Sequence, residues 1–274
     1  MFTLPITSEL INPDVLTSKT LGEIEKTKLW EGNKQKTLGE LFRIDKTNEA
    51  EPMLSVVGDM SKVRRIGAYM KAGDLVIHGN VGTHLGEEMK GGKITVHGNT
   101  EGWAGSMMAG GSIEIHGNAS DYLAAPYRGS ARGMRGGTII VHGNVGNEAG
   151  AHMTRGIIKV YGNVGQFAGF RMRDGTIYIE GNCMSRAGAC MVGGKIIVAG
   201  FLESMLPTFT IDNIRPKVKI EEDQSAMGPF YVFLGDLVEQ GDGKLYVSKD
   251  RNPQLSIFEK FLQGDMFYGQ KVER

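Results

Sequence analysis

Residues 138–200 read TIIVHGNVGNEAGAHMTRG, IIKVYGNVGQFAGFRMRDG, TIYIEGNCMSRAGACMVGG and KIIVAG. Each of the three complete lines has 19 residues. Each opens on an apolar run that ends at a glycine followed by asparagine. Extended upstream, the glycines ending such runs are Gly58, Gly79, Gly98, Gly117, Gly143, Gly162, Gly181 and Gly200, at steps of 21, 19, 19, 26, 19, 19 and 19 residues. A period near 20 residues is the signature of a solenoid. The 26-residue step is one repeat plus an insertion of seven.

The five residues before the markers are MLSVV, DLVIH, KITVH, SIEIH, TIIVH, IIKVY, TIYIE and KIIVA. Their second and fourth positions are always aliphatic, from Leu54 and Val56 to Ile196 and Val198. That is period two, so each run is a strand with one face inward. The central position (Ser55, Val76, Thr95, Glu114, Ile140, Lys159, Tyr178, Ile197) tolerates charge and is expected to point away from the core.

Further columns repeat. Six positions before each marker stands glycine, from Gly73 to Gly194. Nine before it stands methionine: Met70, Met89, Met108, Met134, Met153, Met172 and Met191. Twelve before it, six of seven turns have glycine, and the exception is Ala131. The asparagines after the markers tolerate left-handed geometry and suit an amide ladder. A 19-residue turn with these glycines has no room for a strand plus an ordinary helix. The fold expected is all-β: a single-stranded, right-handed parallel β-helix over residues 53–200, of about seven turns, roughly 34 Å long. Residues 1–52 are expected to form an N-terminal cap that includes a hairpin around TKLW and KTLGELFRI. Residues 201–274 are expected to form a C-terminal cap or docking segment. In it FYVFLGD and GKLYVSK read as strands and PQLSIFEKFLQ as a short amphipathic helix.

Composition narrows the function. Of 274 residues, 41% are apolar, and 31 basic residues balance 31 acidic ones. Zero net charge argues against a nucleic-acid binder. The 40 glycines are about twice the ordinary share. The start carries no signal-peptide pattern and no apolar run reaches membrane-spanning length, so a cytoplasmic protein without membrane insertion is expected. Two cysteines, Cys183 and Cys190, cannot ligate an iron–sulfur cluster alone, and buried structural roles are expected for both.

Catalytic motifs are absent: no G-x-S-x-G, no H-E-x-x-H and no P-loop. His78, His97, His116 and His142 share one outward column. They read as a stacked surface row rather than a metal site, since ligands must converge on a point. His84 and His152 lie in corner segments without an evident ligand partner. The methionine column reads as an apolar stack. Adjacent Glu87 and Glu88 point apart, which disfavours a glycosidase-like carboxylate pair. The break in the period, residues 119–136, is the best local candidate for function. Tyr127, Arg128, Arg132 and Arg135 lie there, along with Tyr122, and neighbouring turns add Arg155, Arg171, Arg173 and Arg186. Arginine with tyrosine suits a protein interface or an anionic ligand. The alternative is a solvated loop with ordinary surface arginines.

The pattern G-N-x-G-x-x-x-G-x-x-M-x-G-G-x-I-x-V-x-G-N resembles the C-terminal β-helix of the glutamate synthase large subunit. The two end segments and the turn APYRGSARGMRGGTIIVHGN resemble more closely the C subunit of formylmethanofuran dehydrogenase. That resemblance covers residues 50–200 most strongly. It implies a non-catalytic scaffold in a methanogen complex that reduces CO2 to formate and condenses it with methanofuran. The tungsto- or molybdopterin, the iron–sulfur clusters and a binuclear metal site would belong to other subunits, with no cofactor on this chain. The implied partners are the amidohydrolase-like and pterin-binding subunits, and the acidic glutamyl tail of methanofuran is a possible ligand of the arginines. The C subunit of the methylotrophs' formyltransferase/hydrolase complex is the nearest alternative. A free-standing glutamate-synthase-like β-helix and a polysaccharide-cleaving β-helix enzyme are more distant ones.

Overall fold

A computed structural model describes residues 5–46 and 53–262. The expectations for the chain ends and for residues 47–52 lie outside these. The strands are β1 (Ile6–Thr7), β2 (Lys28–Glu31), β3 (Lys34–Thr37), β4 (Met53–Val57), β5 (Val63–Arg64), β6 (Asp74–His78), β7 (Lys93–Val96) and β8 (Ser112–Ile115). They continue with β9 (Arg135–Val141), β10 (Arg155–Val160), β11 (Thr176–Ile179), β12 (Lys195–Val198), β13 (Thr210–Glu221), β14 (Gln224–Gly235) and β15 (Gly243–Ser248).

The repeat is a β-solenoid of about eight turns. Strands β4, β6, β7, β8, β9, β10, β11 and β12 pair in parallel in that order, and their aliphatic positions are in register: Leu54 with Leu75, Ile94 with Ile113, Ile158 with Ile177. On a second side of each rung a single bridge repeats, through Met60, Val81, Thr100, Ala119, Val145, Val164, Cys183 and Leu202. The core is a set of one-residue-wide stacks. From β6 onward the inward aliphatics are fully enclosed, and so are all seven methionines of the methionine column. An apolar stack is therefore the role of these methionines. Enclosing an Ile or Met side chain is worth about 1.5–3 kcal/mol, so summed burial across the rungs carries the fold.

Two kinds of glycine serve the stacking. At the strand-ending column φ is not left-handed for Gly98, Gly117, Gly143 and the later members. Glycine is required there because a Cβ on Gly143 would stand 2.5 Å from Asn118 Oδ1 and 2.6 Å from Gly117 O. At the column of Gly73 the requirement is conformational, with φ of 80–107° from Gly92 to Gly194. Left-handed residues other than glycine also recur. Arg65, His84, Trp103, Tyr122, Glu148, Phe167 and Arg186 form one such corner column, with φ of 58–67°.

The asparagines form the expected ladder, but without left-handed geometry: none has positive φ. Each Oδ1 accepts the backbone N–H of the residue one rung on: Asn80 from Asn99 (2.9 Å), Asn118 from Asn144 (2.7 Å), Asn182 from Phe201 (2.9 Å). A side chain thus satisfies one corner N–H per rung, and a second, shorter run of side-chain acceptors does the same for Asn147, Gln166 and Ser185.

The glycine counterpart in the insertion turn is Ala124, not Ala131. Ala124 is fully buried with φ 61° and its N–H bonds to Ala104 O, as Gly105 N bonds to Leu85 O one rung earlier. Counting back from Gly143 crosses the insertion and lands on the wrong residue. The seven extra residues are therefore Pro126–Arg132, since Ala125 and Gly133 keep their rung positions.

Both ends are covered. β1 pairs in parallel with β5, and β2 and β3 form the expected antiparallel hairpin. Ile6, Ile11, Leu16, Leu29 and Leu38 join the core at that end. Asn12 Nδ2 donates to Ala68 O at 3.0 Å, tying this segment to the first turn. At the other end β15 pairs in parallel with β12 as a ninth rung, then β14 and β13 follow antiparallel. β14 and β15 contain the two expected strands. The closing helix is a 3-10 helix, Pro253–Phe261. Buried Asn252 accepts Leu202 N–H at 2.8 Å and donates to Gly200 O and Ser248 O, at 2.9 and 2.8 Å.

β13 escapes the sequence reading, and its presence corrects the view of the central column. The β13–β14 hairpin lies over the outward face of the last rungs. There Tyr178 and Ile197 are buried with Val218, Ile220, Ala226 and Phe230 in a second small core. Lys159 of the same column is buried too and pairs with Glu221.

Gly143→Ala is expected to lower stability by about 1–3 kcal/mol, because the added methyl meets backbone and a fixed amide. Gly22→Ala, where the methyl meets nothing within 4 Å, is expected to stay within about 0.5 kcal/mol of the parent. Chemical denaturation of the two variants checks the contrast.

Candidate functional site

The insertion Pro126–Arg132 runs lengthwise along one corner of the solenoid instead of projecting from it. At one end Tyr127 tilts against His84 with centroids 5.7 Å apart, and the Arg128 guanidinium lies 6.0 Å from the Trp103 ring. At the other end the Ala131 backbone hydrogen-bonds the His152 side chain. The loop thus touches rungs on both sides of its own.

Under its first half lies an aromatic stack made by the left-handed corner column. His84 stacks on Trp103 at 5.4 Å and Trp103 on Tyr122 at 4.5 Å. Beside it Glu87 is buried. Its Oε2 stands 3.4 Å from Arg65 Nε and 3.7 Å from His84 Nδ1, with no hydrogen bond to either. Burial pushes the Glu87 carboxyl up, partly offset by Arg65. Burial and then Arg65 hold the His84 imidazole below its ordinary value. His84 therefore has neighbours that its place in the sequence does not reveal.

Under the second half lies the cationic part. The residues following the methionines form a column, and on three successive rungs it reads Arg135, Thr154, Arg173. Rungs stack at about 4.8 Å, so these side chains line up on one face. With Ala131 and Arg132 they line a shallow open depression. Arg135 Nη2 also donates to Met107 O at 3.4 Å. Arg155 neighbours Arg135 in register across β9 and β10, and Arg171 lies over Phe170 at 5.2 Å. None of Arg128, Arg132, Arg135, Arg155, Arg171 or Arg173 has a salt bridge to a carboxylate among the described residues. Of the seven residues singled out by sequence, Arg132, Arg135 and Arg173 meet in the depression. Tyr127 and Arg128 lie against the aromatic stack, while Arg155 and Arg171 flank the cationic face. Thr154 and the ring stack were missed, and both were visible as columns of the repeat. Three exposed guanidiniums and a hydroxyl suit carboxylates or phosphates on a ligand or partner.

The cysteines fit no cluster. Cys183 is buried in the bridge column and burial pushes its thiol up to about 12. Cys190 is half-buried rather than buried, and burial raises its thiol as well. Two thiols of this kind do not make the four-thiolate set of an iron–sulfur cluster.

Fold and corner together define the class: a β-solenoid with closed ends that presents an aromatic and cationic edge. Comparison with known proteins narrows it. The chain is similar to the C subunit of molybdenum-containing formylmethanofuran dehydrogenase 1 of Methanothermobacter thermautotrophicus, with 42% identity over 85 residues, 31% of this chain and 21% of the relative. It is also similar to the C subunit of tungsten-containing formylmethanofuran dehydrogenase 2 of Methanothermobacter wolfeii, with 41% identity over 86 residues, 30% of this chain and 32% of the relative. Those matches span between a fifth and a third of the relatives' own lengths. Among solved structures, a chain in the formyltransferase/hydrolase complex from Methylorubrum extorquens, crystallised with methylofuran, superposes with a TM-score of 0.82 at 28% identity. That superposition covers 90% of this chain and 97% of the other. No protein-family model matches the chain. The resemblance read from the repeat is thus borne out, and the relatives are subunits of multi-subunit complexes. Among the described residues no helix is long and apolar enough to cross a membrane.

His84 and His152 give a pH prediction. Burial lowers both imidazoles, followed by Arg65 for His84 and Arg171 for His152. As pH falls, the unfolded chain takes up these protons first, near the ordinary value of about 6.5. Their contribution to stability is therefore fully present above that value and is lost as pH falls through the lower folded values. Denaturation midpoints are expected to drop between about pH 7.5 and pH 5.5, and His152→Gln is expected to shrink the drop.

Proposed function

We propose that this chain is a structural subunit, of the C type, in a cytoplasmic formylmethanofuran dehydrogenase complex. The observation that carries this reading is the joint match: C-type relatives at above 40% identity in sequence, and a member of a multi-subunit complex aligned over 97% of its length in structure. The architecture supports a scaffold role. A stack of rungs with enclosed one-residue columns offers partners a long, regular surface. In this reading the pterin, the iron–sulfur clusters and the binuclear metal reside in the amidohydrolase-like and pterin-binding partner subunits. The complex reduces CO2 to formate and joins it to methanofuran, and this chain holds the partners in place. The depression lined by Arg132, Arg135 and Arg173 receives acidic groups, either of a partner surface or of the glutamyl tail of methanofuran.

The superposition on the formyltransferase/hydrolase complex supports a second reading, in which the chain serves a complex that needs no pterin subunit. Co-purification with identification of the bound subunits separates the two. A pterin-binding subunit with a ferredoxin-like partner is expected; a formyltransferase with a pterin-free subunit would favour the second reading. Within the assembled complex, Arg132→Ala combined with Arg173→Ala is expected to raise KM for methanofuran about tenfold, as for loss of one charge-assisted hydrogen bond of about 1.5 kcal/mol, or to weaken subunit association comparably. Unchanged KM together with unchanged association would remove the arginine face from the proposal.

A further inference from the structure

The histidine column is a row of parallel rings. His78 to His97, His97 to His116 and His116 to His142 stack at 4.8, 4.9 and 4.9 Å, with interplanar angles of 8°, 13° and 6°. Such a row by itself spreads its nitrogens along a line. At one place the neighbouring outward column changes this. On β8 the central residue is Glu114, two positions before His116 and on the same face of the strand. The next rung brings His142 beside both, since β8 and β9 pair with Glu114 opposite Ile140 and Ile115 opposite Val141.

The three side chains therefore converge. His142 Nε2 stands 3.0 Å from Glu114 Oε1, and one ligand atom from each of Glu114, His116 and His142 lies within 4.8 Å of the others. Donors bound at about 2.0–2.2 Å to one tetrahedral ion stand roughly 3.4 Å apart. The carboxylate–imidazole pair is already near that spacing, and exposed His116 offers the third donor within 4.8 Å of both. Lys93 Nζ lies 3.7 Å from the other oxygen, Oε2, leaving Oε1 toward the histidines. Elsewhere in the row the third donor is missing. The central residues beside His78 and His97 are Val76 and Thr95.

We propose that Glu114, His116 and His142 form a surface site for one divalent transition-metal ion of the zinc class. Two imidazole nitrogens and one carboxylate oxygen suit Zn2+, Co2+ or Ni2+, with the remaining coordination positions left to water. The donors come from two successive turns, so the ion would clasp the rung of β8 to the rung of β9, the turn that contains the insertion.

The test uses the full-length, untagged chain stripped of metal by chelator. Co2+ is titrated by its visible absorption, and Zn2+ by competition with a chromogenic chelator. One saturable equivalent is expected. Glu114→Gln and His142→Gln are each expected to weaken it by at least about tenfold, and His78→Gln to leave it unchanged. Ring resonances of His116 and His142 should shift on Zn2+ addition while that of His78 stays. These residues are exposed or half-exposed, so the melting curves of the metal-free variants should match the parent. Absence of a saturable site overturns the proposal. So does a Glu114→Gln variant that binds as the parent does, since the imidazole row alone would then be capturing the ion.

Discussion

Everything in this molecule depends on how closely successive turns approach at the corner that ends each strand. There the carbonyl of one strand-ending glycine lies where the Cβ of the next would be, so the column admits no side chain. Close approach at the corner lets the strands pair at ladder spacing. Ladder spacing in turn lets single-residue columns of isoleucine, valine and methionine enclose one another completely. The asparagine ladder belongs to the same constraint. A corner this tight leaves one N–H per turn to be met by the Oδ1 of the rung before.

The column logic also sets the chemistry of the surface. A solenoid repeats whatever stands at a position, so rings lie over rings in the histidine row and in the His84–Trp103–Tyr122 stack. Such rows are chemically uniform until something breaks them. The structure has two breaks that matter. One is the insertion, which lays arginines and a tyrosine across several rungs. The other is Glu114, which places a carboxylate beside two imidazoles. Each break turns a line of like groups into a local constellation.

Much of this was legible in sequence because the fold is local: each turn reports the environment of the same position in the next. Strand positions, the methionine stack and the arginine-bearing irregularity all follow from counting. What was not legible came from outside the count. Ala124 was missed because counting back from Gly143 crossed the seven extra residues. Tyr178, Ile197 and Lys159 read as outward, and locally they are. The hairpin that buries them is formed by residues whose run NIRPKVKIEE carries too much charge and a proline to signal a strand. The convergence of Glu114 on His142 was hidden because it is diagonal, joining two columns that sequence arithmetic treats separately.

The lengthwise course of Pro126–Arg132 has a consequence for how such a chain can change over time. Where each turn touches only its neighbours, a whole 19-residue unit can be gained or lost and the caps merely move apart or together by about 4.8 Å. Along the stretch from His84 to Arg173 that freedom is gone, because one loop is fitted simultaneously to rings two rungs behind it and to a rung ahead of it. Gaining or losing a turn within this portion would break the loop's contacts, whereas turns beyond either end of the loop carry no such tie.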